Sequence, residues 1–70
     1  MEPKEQFGRN LREARGRLGI SQEALAARAE LHRNAVSMLE REERDPRLDT
    51  MVKLARALDM ELSALLKGIE

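Results

Sequence analysis

Seventy residues allow one domain, read as residues 1–70 with a core from about 7 to 66. A chain this short removes only about 60% of its unfolded surface from water. Thirteen basic and thirteen acidic side chains cancel, and a pI near 6.6 lacks the basic signature of many nucleic-acid-binding domains. No cysteine is present and the single histidine, His32, has no second ligand beside it, which excludes a disulfide framework and a structural zinc site.

The charged segment MEPKEQF and the lack of any apolar run approaching ~20 residues predict neither a signal peptide nor a membrane anchor, so a cytoplasmic location is expected. Leu, Ala, Arg and Glu dominate, Phe7 is the one aromatic residue, and no window alternates apolar and polar residues as a half-buried strand does. The chain reads as all helical. Net charge counts against DNA, but its distribution permits a basic face: nine of the thirteen basic residues lie between Arg9 and Arg47, while Asp59, Glu61 and Glu70 load the C-terminal end.

Phe7, Leu11, Ala14 and Leu18 recur at four, three and four residues, predicting a helix from about Lys4 to Leu18 with one apolar stripe, ended by Gly19. Ser21 can accept an N–H bond at the next helix start, and Glu23 complements the positive end of that helix dipole. This second helix, about Gln22 to Ala29, buries Leu25, Ala26 and Ala29. An interruption at Glu30, Leu31 and His32 is inferred without Gly or Pro to mark it. A third helix, about 33–41, turns Val36 and Leu39 to one side and Arg33, Asn34, Ser37, Met38 and Arg41 elsewhere.

Glu42 to Pro46 form a polar loop, with Pro46 opposing helix at Asp45. A fourth helix opens at Asp49 or just before it. Its wide apolar set, Leu48, Met51, Val52, Leu54, Ala55 and Leu58, suits the central helix of the core. Asp59, Met60 and Glu61 break to a short last helix with Leu62, Leu65 and Leu66, stopped near Gly68.

Two helices joined by about three residues cross steeply and approach closest near the turn, so the first needs a small residue at its middle, which Ala26 supplies. Leu25, Ala29, Leu31, Val36 and Leu39 provide the apolar contacts that lock the pair. The segment LREARGRLGISQEALAARAELHRNAVSMLERE, continuing into DPRLDTMVKLARAL, resembles the XRE or Cro-like family, the lambda-repressor-like helix-turn-helix DNA-binding domains. The likeness runs from about Phe7 to Leu66. It rests on Gly-Ile-Ser-Gln, Leu-Ala, Val-Ser-x-Leu-Glu-Arg, a Pro-containing loop and Leu-Asp-Thr, in that order and spacing.

The resemblance implies a compact five-helix regulator of transcription whose third helix enters the major groove of double-stranded DNA, usually as half of a homodimer on a near-palindromic operator. By that mapping Arg33, Asn34, Ser37 and Met38 face base edges, Gln22 and Arg41 meet phosphates, and Arg15 and Glu40 form a partly buried structural ion pair. His32 is assigned to phosphate or to capping its helix. The chemistry fits: Arg33 can pair bidentately with guanine, Asn34 with adenine, and Met38 can cover a thymine methyl or pack on the first helix. A solvated helix face is the alternative for Arg33 and Asn34, and for Ser37 simple tolerance of close approach.

Glu30 and Glu42 stand where the family often has Gly. A Glu held at positive φ costs on the order of 1 kcal/mol, so these departures predict an altered turn or a strained one. Glu42 and Glu43 also bring negative charge near the expected path of the phosphates. Leu62, Leu66 and Ile69 are candidates for a dimer interface. No nucleophile and base pair, Gly-x-Ser-x-Gly elbow or Gly-rich phosphate loop is present, so the chain does not read as an enzyme. It calls for no cofactor or metal, and nothing suggests an effector pocket. The rival reading is a protein-interaction module, antitoxin-like or antirepressor-like, that keeps the fold without binding DNA.

Overall fold

A computed structural model describes every residue from Met1 to Glu70. Five helices follow in order: α1 (Pro3–Leu18), α2 (Gln22–Ala29), α3 (Arg33–Glu40), α4 (Leu48–Ala57) and α5 (Leu62–Leu65). The architecture is all-α, as the composition predicts, and no helix is long and apolar enough to cross a membrane. Pro3 opens α1, where its missing N–H is no loss, and the Glu5 carboxylate accepts the Glu2 N–H at 3.0 Å. Ser21 caps α2 by accepting the Ala24 N–H at 3.0 Å.

The principal packings close a ring: α1 on α3, α3 on α2, α2 on α4, α4 on α5, and α5 back on α1. Twelve buried apolar side chains fill its middle, with every helix contributing. The expected central role of α4 is therefore corrected, because no helix occupies the centre of a ring. Two residues assigned to apolar stripes also lie outside it: Leu18 is 46% exposed and Leu48 66%. The reason is length and position. The sixteen residues of α1 outrun its eight-residue partner α3, and Leu48 is the first residue of α4, before that helix reaches the core.

One terminator ends four helices. Gly19, Glu30, Glu42 and Asp59 all adopt left-handed backbone, with φ of 67°, 57°, 65° and 55°. In each case the next amide bonds back to a carbonyl of the last turn: Ile20 to Arg15, Leu31 to Ala26, Glu43 to Met38 and Met60 to Ala55. The turn is strained rather than altered. Three non-glycine residues accept a conformation that disfavours a Cβ by roughly 1 kcal/mol each, least at Asp59, since aspartate tolerates it better. After α1, α2 and α4 the following residue, Ile20, Leu31 or Met60, packs on the core, the apolar contact that accompanies this motif.

Two polar or small residues of α1 hold the ring closed. Gly8 lets α1 meet the end of α3 backbone to backbone, since a Cβ there would stand 2.6 Å from the Leu39 carbonyl oxygen. Asn10 donates through Nδ2 to the carbonyls of Leu65 at 2.9 Å and Lys67 at 2.8 Å, while Gln6 donates to its Oδ1 at 2.8 Å. These bonds satisfy the C-terminal carbonyls of α5, too short to be stable alone.

Gly8→Ala should therefore destabilise the protein by about 1–3 kcal/mol through forced overpacking. Gly16→Ala, at a helical position with nothing within 4 Å, should stabilise it by about 0.5–1 kcal/mol. Denaturant midpoints of the two variants check the contrast, and equal shifts would contradict it.

Candidate nucleic-acid interface

The pair α2 and α3 is joined by Glu30, Leu31 and His32. Leu31 is half-buried and turns inward, while His32 is exposed and caps α3, its Nδ1 accepting the Asn34 N–H at 3.1 Å. An Nδ1 that accepts leaves the proton on Nε2, so the imidazole presents an outward donor. Val36 and Leu39 anchor α3 in the core. On its other side Arg33, Ser37 and Arg41 follow at four-residue spacing, with Asn34 and Met38 beside them. Arg33, Asn34 and Arg41 are exposed, and Ser37 and Met38 half-buried.

Position on this face is set by Glu40, whose side chain is 3% exposed. Its Oε2 accepts from Arg15 Nε at 2.7 Å, and its Oε1 accepts from Arg15 Nη2 and Gln22 Nε2, both at 3.0 Å. Arg15 Nη1 donates to the Ile20 carbonyl at 2.9 Å, and Arg12 Nη2 to the Glu40 carbonyl at 2.6 Å. Glu40 thus ties the end of α3 to α1 and to the first residue of α2, and Arg15 carries the tie on to the α1–α2 turn. The hydrogen bond to Glu40 raises the Arg15 pKa against the opposing effect of burial, and the charges of Glu40 and Glu23 raise it further. A raised basic pKa contributes stability in full below its ordinary value and loses it only at strongly alkaline pH, so Arg15 stays charged under all ordinary conditions.

Gln22, assigned to phosphate from the sequence, spends one amide N–H on Glu40 and keeps the other and its carbonyl oxygen. Two arginines of the outward face of α3 are also engaged. Arg33 Nη1 lies 3.3 Å from Glu23 Oε2, and Arg41 Nη2 lies 3.2 Å from Glu43 Oε1. Exposed pairs of this kind are worth only about 0.2–1 kcal/mol, so neither arginine is locked in place by its carboxylate. Glu42 is half-buried, with its Cγ against Gly8 of α1.

Sequence reasoning missed Arg44 and Arg47. The loop after α3 carries both into the lining of a cleft shared with Leu31 and Ala35, although the Arg47 head group lies 3.6 Å from Asp49 of α4. A loop dense in alternating charge gave no signal for which of them faces α3. No three His, Cys, Asp or Glu side chains gather closely enough to hold a metal ion.

A short-turned helix pair, its second helix held from behind and projecting polar side chains in front, is the geometry of a helix-turn-helix. Residues 11–65 match the family model described as Helix-turn-helix, HTH_3. The chain belongs to this helix-turn-helix family. Among its relatives is the control protein C.SmaI of Serratia marcescens, 39% identical over 66 residues that cover 94% of this chain and 79% of that one. The restriction-modification controller protein C.AhdI of Aeromonas hydrophila superposes with a TM-score of 0.86 at 44% identity, covering 89% of this chain and 94% of that chain. The P22 c2 repressor, solved in complex with a synthetic operator, superposes at 0.80 and 34% identity, covering 89% and 94%.

In this helix-turn-helix protein, Arg15→Ala strands the buried Glu40 carboxylate and should cost about 3 kcal/mol, the lower end for a broken buried pair because Arg15 is 21% exposed. Arg15→Met combined with Glu40→Leu should recover part of that loss. Chemical denaturation compares them, and a double variant worse than the single would contradict the account.

Proposed function

We propose that the protein is a cytoplasmic, sequence-specific transcriptional regulator that binds double-stranded DNA by inserting α3 into the major groove. The observation that carries this reading is the outward face of α3, where Arg33, Asn34, Ser37 and Met38 project together from a helix anchored by Val36, Leu39 and Glu40. Likeness to the operator-bound P22 c2 repressor supports it. Kinship with a control protein and with a restriction-modification controller protein makes regulation of a restriction-modification locus the favoured setting.

In this reading Arg33 takes guanine and Asn34 adenine, Met38 covers a thymine methyl, and Ser37 allows close approach. Gln22 offers its free N–H to phosphate from the start of α2, where amides and dipole favour an anion. His32 donates from Nε2, and Arg41, Arg44 and Arg47 follow the backbone. No cofactor or catalytic group takes part.

Two copies bind as a homodimer on a near-palindromic site. Leu66 and Ile69 support this, since they line an apolar cleft of about 350 Å³ with Phe7 and Met51. Leu62 lies in a separate cleft with Val52 and Met60, so the interface centres on Leu66 and Ile69. Sedimentation of the operator complex should give two protomers per site, and one per site would remove the dimer.

A protein-interaction module is the second reading, favoured by zero net charge and by the paired state of Arg33 and Arg41. Arg33→Ala should cost about 1–3 kcal/mol of binding and relax preference at one base pair. Arg41→Ala should weaken all duplexes alike and lower the salt slope by about one. Titration of operator and unrelated duplexes at several salt concentrations checks both, and equal losses on every sequence would sink the division of labour.

A further inference from the structure

Resting on the DNA-binding reading above, we propose that Glu23 is a positioning residue for sequence recognition, which holds Arg33 in the orientation that reads guanine. Glu23 lies in the first turn of α2 and Arg33 is the first residue of α3, so their contact spans the turn between the two helices. It links Nη1 to Oε2 at 3.3 Å, with both side chains 62% exposed. Nothing else in the fold restrains this guanidinium, and α3 has no acidic residue in its own first turn.

The contact is single, and its geometry leaves room for a base. A guanidinium carries five N–H donors, and a bidentate pair with guanine uses two. One N–H given to Glu23 leaves enough donors for guanine O6 and N7 to be engaged at the same time. Glu23 therefore reduces the rotamers Arg33 must give up on binding without occupying its reading edge.

The same carboxylate also penalises wrong sites. Where the groove offers no guanine at that position, Arg33 stays on Glu23, and the phosphate-lined groove meets a pair with no net charge. Preference for the correct base then comes from both sides: a restrained arginine when guanine is present and a neutralised one when it is absent.

Glu23→Ala and Glu23→Gln, alone and with Arg33→Ala, should be titrated against the selected operator, its three variants at the base pair lost in Arg33→Ala, and an unrelated duplex. Glu23→Ala should narrow preference at that base pair by about two- to five-fold, the size of an exposed ion pair. Glu23→Gln, which keeps an acceptor oxygen, should lose less. Neither should matter in the Arg33→Ala background, and thermal stability should hardly change. A uniform rise in affinity for every duplex, with preference intact, would overturn the proposal and make Glu23 a simple charge mask. Additive losses with Arg33→Ala would overturn it as well. A wild-type protein that binds no duplex would instead defeat the DNA-binding reading on which it rests.

Discussion

The fold of this small protein depends on one buried carboxylate. Glu40 ends α3 yet lies out of water, and it is tolerable there because two N–H groups of Arg15 and one of Gln22 converge on it. Those donors come from α1 and from the start of α2, so satisfying the charge and orienting α3 are the same event. A hydrophobic residue in its place could pack as tightly, but an apolar contact is non-directional, whereas these hydrogen bonds fix how the end of α3 sits against α1 and α2.

Much of this was legible from spacing alone. The intervals of Phe7, Leu11 and Ala14, and of Val36 and Leu39, placed the apolar faces of α1 and α3, because burial selects the helical period. Leu18 and Leu48 misled for the same reason: periodicity reports which side of a helix a residue is on and says nothing of where the neighbouring helix ends. The α2–α3 turn carried no Gly or Pro, so it was located by the pattern on either side. What the turn did carry was a left-handed residue followed by a core residue, Glu30 and Leu31, matching Gly19 and Ile20 and again Asp59 and Met60. At Glu30 and Glu42 only the family's usual glycine pointed to such backbone, and at Asp59 nothing did.

The candidate site divides in the same way. Resemblance assigned the outward residues of α3 and the partners Arg15 and Glu40, whereas side-chain pairing on the surface depends on tertiary placement. Glu23 and Arg33 are ten residues apart and on different helices, a separation at which no local rule links them. Gly8 and Asn10 were equally silent: a glycine within a helix reads as a weak helix former until another backbone is found against it.

Net neutrality and DNA binding are compatible once charge is considered locally. Arg33 and Arg41 carry carboxylate partners in the free protein, and exposed pairs of this kind are too weak to bar the arginines from DNA. Selection of binding sequences from a random duplex library, repeated at about 50 and 200 mM salt, tests the central claim most directly. Recovery of one palindromic motif at both concentrations is the result expected of a symmetric major-groove reader. Absence of enrichment at either concentration would contradict it and give the α3 face to a protein partner.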